Sequence, residues 1–258
     1  MAVGSGNDKG RHGRGARGHP YTDRIDAKIM NSDKQHPGTQ IVAIDGPAGA
    51  GKSSVSRRVA GALGFAFLDT GAMYRAATWR ALHLGIPLDD PEALAASTRA
   101  MALEFQEEPD GVRVVVDDLD VSREIRSPEV TRHIHLLDQI PAVRQRLVEL
   151  QRSFGCRRPT VAEGRDIGTV VFPQARCKVY LDASLECRAE RRAAEMETQG
   201  LPVNRAEVLR EIAERDALNM NRAVSPLRRA EDAIYVDTTE LTPDQVVARL
   251  VQLARERL

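Results

Sequence analysis

Ile41-Val42-Ala43-Ile44-Asp45-Gly46-Pro47-Ala48-Gly49-Ala50-Gly51-Lys52-Ser53 runs from a short apolar stretch through a glycine-rich turn into a helical pattern. The apolar stretch suits a strand covered on both faces. Gly46, Gly49 and Gly51 let the backbone curl, so that successive N–H groups point into one hollow. A helix opening near Lys52 adds its positive N-terminal end. Lys52 is then placed to reach the terminal phosphates of a nucleoside triphosphate, and the Ser53 hydroxyl to hold Mg²⁺. With glycine at roughly 7% of residues, such a match arises by accident in only about one chain in a hundred. Gly46, Pro47, Ala48, Gly49, Ala50, Gly51, Lys52, Ser53 and the adjoining Ser54 form the expected donor-nucleotide site.

Working outward, similar apolar runs recur at Phe65–Asp69, Thr160–Glu163, Cys177–Asp182 and Ala233–Asp237, with helical stretches between them. Val55, Val59 and Leu63 give the first helix one apolar stripe. The last helix opens at Thr242-Pro243 and turns Val246, Val247, Leu250 and Leu253 inward. This alternation predicts an α/β fold in three layers, a five-stranded parallel sheet with helices on both faces. Two insertions interrupt it. Residues 85–140 carry a hairpin, Leu103–Gln106 and Val112–Val116 around Pro109-Asp110-Gly111, and a helix starting at Ser127-Pro128. Residues 185–225 read as a charged helical pair, broken at Gly200-Leu201-Pro202 and restarted by a capping box at Asn204 and Glu207. The core is then expected over about 40–84, 141–184 and 226–258.

The chain has 258 residues, 42% of them apolar, and a formal net charge of zero, which argues against a whole-surface grip on nucleic acid. No run approaches the roughly 20 apolar residues that span a bilayer, and the N-terminus lacks a secretory pattern. A cytoplasmic monomer is expected. Cys156, Cys177 and Cys187 lie far apart and read as reduced thiols. Residues 1–39 are rich in Gly, Arg, His and Asp with few apolar residues, and read as a disordered tail or a misassigned start, Met30 being an alternative initiator.

A phosphate loop alone fits many nucleotide chemistries. Thr70-Gly71-Ala72-Met73-Tyr74-Arg75 follows the second strand. Val121-Ser122-Arg123-Glu124-Ile125-Arg126, Pro141-Ala142-Val143-Arg144 and Glu163-Gly164-Arg165-Asp166-Ile167-Gly168-Thr169-Val170-Val171-Phe172-Pro173 come next. Glu214-Arg215-Asp216, Asn221-Arg222 and Pro226-Leu227 close the series. In these motifs, and over residues 40–258, the chain resembles the bacterial cytidylate kinase family of P-loop nucleoside monophosphate kinases. The resemblance implies transfer of a phosphoryl group from ATP, with Mg²⁺, to CMP or dCMP. It also implies that residues 85–140 bind the acceptor and residues 185–225 form a lid.

Such a transfer needs cations gathered at one centre and water kept out, without a nucleophilic side chain. The resemblance places Arg75, Arg165 and Arg222 on the acceptor phosphate, and Lys52, Arg165, Arg215 and Arg222 as the catalytic cations. On a predicted helix Arg215, residue 219 and Arg222 would project from one face. Cytosine offers an amino donor beside two acceptors, and the resemblance sets Asp166 against the amine and Arg144 against the acceptors. Thr70 adds a hydroxyl. Two positions depart from the family: His135 stands where many members have a base-contacting Ser, and Asn219 where a ribose-contacting Asp is usual. Arg188, Arg191, Arg192 and Arg215 would close over ATP as the lid. Rival readings are a UMP or small-metabolite kinase such as one for shikimate, which the Asp166/Arg144 edge opposes. A non-catalytic nucleotide sensor or RNA-binding protein is a further rival, opposed by the intact Lys52 and Ser53.

Overall fold

The computed structural model describes residues 1, 22–25, 40–108, 111–198 and 200–258, with the backbone alone at 22–25 and 107. Strand β1 is Thr22–Ile25 and β2 is Ile41–Asp45. Helix α1, Lys52–Leu63, leads to β3, Ala66–Asp69, and α2, Thr70–His83. Then follow α3 (Pro91–Ala100), β4 (Leu103–Glu108), β5 (Gly111–Val116), β6 (Leu119–Asp120), α4 (Pro128–Leu137) and α5 (Pro141–Gly155). The chain closes with β7 (Thr160–Gly164), β8 (Cys177–Asp182), α6 (Leu185–Thr198), α7 (Arg205–Asn221), β9 (Ile234–Asp237) and α8 (Pro243–Arg257).

Five strands form one parallel sheet in the order β3-β7-β2-β8-β9. Alternation along β2 explains its uninterrupted apolar run. Ile41 and Ala43 join a core with α2, α3 and α5, whereas Val42 and Ile44 join another with α1 and α8. The expected three layers and five strands are therefore present, and each strand begins within one residue of its expected start. Phe65 falls just outside β3 because its amide closes the end of α1 on the Ala60 carbonyl at 2.9 Å. From β2 the chain moves to β3 on one side and later crosses back to β8 on the other. The carboxyl ends of β2 and β7 thus frame the crevice where such sheets bind ligands.

The first insertion contributes β4, β5 and β6 to an antiparallel sheet, β1-β4-β5-β6, whose Leu103, Phe105, Val114 and Val116 extend the core of α2 and α5. Strand β1 lies inside the segment read as a tail. Its pairing with β4 from Thr22↔Gln106 to Ile25↔Leu103 differs from that reading at these four residues, since β4 offers its open edge to them. The rest of that segment, Met1 excepted, and the Pro109-Asp110 part of the hairpin turn lie outside the described residues. Helices α6 and α7 share a small core of Ala189, Val208 and Ile212. Asn204 caps α7 by accepting from the Glu207 amide at 3.4 Å. No described helix is long and apolar enough to cross a membrane.

Candidate active site

The glycine-rich loop leaves β2 in a conformation that forces its composition. Gly46 sits at φ 154°, and a Cβ there would lie 1.9 Å from the Leu181 carbonyl oxygen on the neighbouring strand. Gly49, at φ 74°, allows the loop to touch the backbone of Arg188. Gly51 caps α1 without a side-chain hydrogen bond, so the first turn of the helix presents its amides unshielded. Lys52 is buried at the base of the loop and donates to the Pro47 carbonyl at 2.6 Å. Burial first, and the charge of Arg165 second, hold its ammonium well below its usual value. Ser53 is exposed, and Ser54 donates to the Gly51 carbonyl at 3.0 Å.

Across the crevice, β7 ends in Glu163-Gly164 and delivers Arg165 and Asp166 on the following turn. That turn is held by Asp45, at the end of β2. Its carboxylate accepts from the Ile167 amide at 2.7 Å and the Gly168 amide at 2.8 Å. Burial pushes the Asp45 pKa up to about 6, against the pull of those two amides. Glu163, also buried and near Asp69, rises to about 7, the Lys52 ammonium and the Ser53 hydroxyl opposing the shift. Thr70 donates to the Glu163 carbonyl at 2.7 Å, and Arg75 pairs with Asp69 at 3.0 Å. Arg126 approaches the same Asp69 oxygen at 3.7 Å.

The residues expected to read a base do meet. Arg144, reaching in from α5, is hydrogen-bonded to Asp166, and both side chains are buried. The Arg144 guanidinium also lies over the Tyr74 ring, 5.5 Å from its centroid. Arg222 Nη2 is 3.8 Å from the second Asp166 oxygen, and Arg222 Nη1 is 3.5 Å from Asp138. Arg215 is depressed to about 10, first by burial and then by Arg165, Arg75 and Arg192. Lys52, Arg75, Arg165, Arg215 and Arg222 are thus close enough to feel one another. Arg75 Nε, Arg144 Nε, Arg165 Nε and Arg222 Nη2 are buried without a hydrogen-bond partner. Buried donors left so are costly, and a polyanion is the ligand that would satisfy them.

One expectation changes on contact with the structure. Helix α7 ends at Asn221, and Arg222 is extended (φ −62°, ψ 142°), its Nε donating to the Ser225 carbonyl at 2.5 Å. Only Arg215 and Asn219 therefore share the helical face, and Arg222 reaches the cluster by leaving the helix. Asn219 is buried and gives its amide to the Arg215 carbonyl at 2.7 Å. The lid arginines also divide. Arg188 is buried, hydrogen-bonded to Asp216 and to the Ala48 carbonyl at 2.9 Å, while Asp216 accepts from the Ala48 amide at 3.1 Å. Arg191 is anchored to Thr238, donating to its carbonyl at 2.6 Å, whereas Arg192 is exposed and pairs with Glu195. His135 holds its ring against the Arg132 carbonyl at 2.8 Å, and His133 does the same with Glu129 at 3.0 Å.

Sequence reasoning passed over Asp45, Arg126, Asp138, Glu163 and Asp216. Glu163 carried a signal, since it stands at the carboxyl end of the strand beside the phosphate loop. Asp216 stood in the Glu214-Arg215-Asp216 motif with no role read for it, and Asp138 carried no signal.

A family model for cytidylate kinase matches residues 42–256. The chain belongs to the cytidylate kinase family. It is 48% identical over 218 residues to a cytidylate kinase of Rhodococcus opacus (strain B4), covering 84% of this chain and 95% of that protein. A cytidylate kinase of Rhodopirellula baltica is 47% identical over 216 residues, covering 84% and 93%. A bifunctional pantoate ligase/cytidylate kinase of Synechococcus sp. (strain JA-2-3B'a(2-13)) is 44% identical over 247 residues, and the match spans 46% of that longer protein. Among solved structures, a shikimate kinase from Acinetobacter baumannii aligns with a TM-score of 0.40 and 18% identity over 84% of this chain and 93% of that one. A likeness that distant carries no argument about the acceptor of this cytidylate kinase family member.

Proposed function

We propose that the chain transfers the γ-phosphoryl group of ATP to CMP, and to dCMP, giving ADP and the nucleoside diphosphate. One observation supports this most: the buried Arg144–Asp166 pair sits beside Arg222, whose Nη2 lacks a hydrogen-bond partner, on the turn that Asp45 ties to the strand of the glycine-rich loop. An oxygen of the acceptor phosphate attacks the γ-phosphorus as its bond to the β,γ-bridging oxygen breaks. The loop amides and Lys52 hold the donor phosphates, and Arg75, Arg165 and Arg222 hold the acceptor. Arg215, with Arg165 and Lys52, offsets charge in the transition state. Asp166 accepts from the cytosine amine while Arg144 donates to its acceptor edge, which disfavours the carbonyl of uracil.

Mg²⁺ fits the residues present. The Ser53 hydroxyl and the buried Glu163 carboxylate, whose Oε1 lacks a hydrogen-bond partner, are hard oxygen donors beside the loop. When bound there, the ion neutralises charge on the donor phosphates. Among the described residues no cluster of three His, Cys, Asp or Glu side chains suggests a separate metal site. Residues 85–140 serve as the acceptor-binding insertion, and α6 and α7 as the lid. Arg192 and Arg215 reach for nucleotide there, while Arg188 and Arg191 fasten the lid to the core. Thr70, His135 and Asn219 complete the acceptor pocket. The enzyme works as a cytoplasmic monomer in pyrimidine nucleotide metabolism. Nucleotide release measured across CMP, dCMP, UMP, AMP and GMP tests this reading.

A further inference from the structure

Asp138 follows the last turn of α4, at the negative end of a helix, where a carboxylate is disfavoured. Its side chain is only 18% exposed, and burial raises its pKa despite the cations around it. Those cations are Arg222, Arg144 and Arg215, with the His135 ring beside them. Its carboxylate lies 3.5 Å from Arg222 Nη1, and its carbonyl accepts from Arg144 Nη1 at 3.3 Å. Neither helix capping nor solvent accounts for an acid at this point; the guanidinium groups do. Asp138 and Asp166 therefore bracket Arg222, one on each terminal nitrogen.

We propose that Asp138 is a counter-anion, which competes with any anion for Arg222 and weakens its grip on phosphate. A bare phosphate must then displace or share that carboxylate and gains nothing else in return. A nucleoside monophosphate meets the same opposition but adds contacts at Asp166 and Arg144. The acid thus keeps the absolute affinity for inorganic phosphate low, while the contacts at Asp166 and Arg144 restore that for the nucleotide. This rests on the reading of Arg222 as an acceptor-phosphate arginine.

The test uses the full chain at saturating ATP, with inorganic phosphate as an inhibitor competing against CMP. Asp138→Asn keeps an oxygen facing Arg222 and removes only the charge. Unit charges a few ångströms apart in a half-buried site are worth roughly tenfold or more in binding. The inhibition constant for phosphate should fall about tenfold in Asp138→Asn, remain near the wild-type value in Asp138→Glu, and rise at least tenfold in Arg222→Ala. KM for ATP and the melting temperature report whether the fold has survived, and Asp138→Ser repeats the measurement if Asp138→Asn has not. An unchanged or weaker phosphate inhibition in Asp138→Asn, with Arg222→Ala still weakened, overturns the counter-anion and leaves the acceptor reading standing. Arg222→Ala with unaltered phosphate inhibition and unaltered KM for CMP overturns both.

Discussion

The Asp45 carboxylate accepts a hydrogen bond from the Ile167 amide at 2.7 Å, tying the strand that carries the donor loop to the turn that carries Arg165 and Asp166. A second bond, from Gly168 at 2.8 Å, uses the other oxygen. The two halves of a two-substrate site are thereby set by one side chain. In Asp45→Asn the amide group faces one of those N–H donors and that bond is lost. A charge-assisted bond is worth about 1.5–3 kcal/mol, so kcat/KM for CMP should fall roughly 10- to 100-fold with a smaller change in KM for ATP. Equal losses for both substrates would mean that Asp45 merely supports the fold.

The same residue makes a pH prediction. Its native pKa of about 6 lies above the ordinary 3.8, so the native state holds a proton that the unfolded chain has released between those values. Its contribution is therefore full below about pH 4 and is lost as pH rises through 6. The stability difference between wild type and Asp45→Asn should shift by about 3 kcal/mol over that window, wild type losing ground as pH rises. Glu163 titrates in both proteins and cancels. Urea unfolding at pH 4, 5, 6 and 7 gives the difference directly.

Gly46→Ala should cripple folding rather than catalysis alone. Its Cβ would meet the Leu181 carbonyl oxygen at 1.9 Å, backbone against backbone, with no flexible side chain to give way. A loss of more than about 3 kcal/mol is expected, read as a fall in melting temperature. Gly51→Ala meets nothing within 4 Å and is opposed only by its φ of 79°, so it should cost less.

Lys52→Ala should lower turnover by orders of magnitude while the fold persists, because its ammonium faces the loop from a buried position. Turnover and far-ultraviolet circular dichroism, measured on one preparation, separate the two effects. Near-normal turnover would remove Lys52 from the mechanism.

The sheet was legible because both faces of β2 and β7 are buried, which leaves uninterrupted apolar runs at Ile41–Asp45 and Thr160–Gly164. The phosphate loop was legible because the close contacts and positive φ angles at Gly46 and Gly49 admit little besides glycine. What escaped depends on distant partners. Arg188 and Asp216 are 28 residues apart, and their pairing over Ala48 has no local pattern. Helix α7 stops at Asn221 without a glycine or proline next to it, because Leu227 folds back to donate to the Asn219 carbonyl at 2.9 Å. Asp138 reads in sequence as one more surface acid, and only the arrival of Arg222, 84 residues on, gives it a partner.

Asp166 is where the acceptor base is chosen. ADP release should be followed with CMP, dCMP, UMP, AMP and GMP, for wild type and Asp166→Asn. Replacing the carboxylate should reduce the CMP-to-UMP ratio of kcat/KM by about tenfold or more, since an amide can donate to a carbonyl. For the wild type, the expected result is rapid release with CMP and dCMP, weaker release with UMP, and little with the purines. Equal rates with all five nucleotides, or release with none of them, would contradict the assignment.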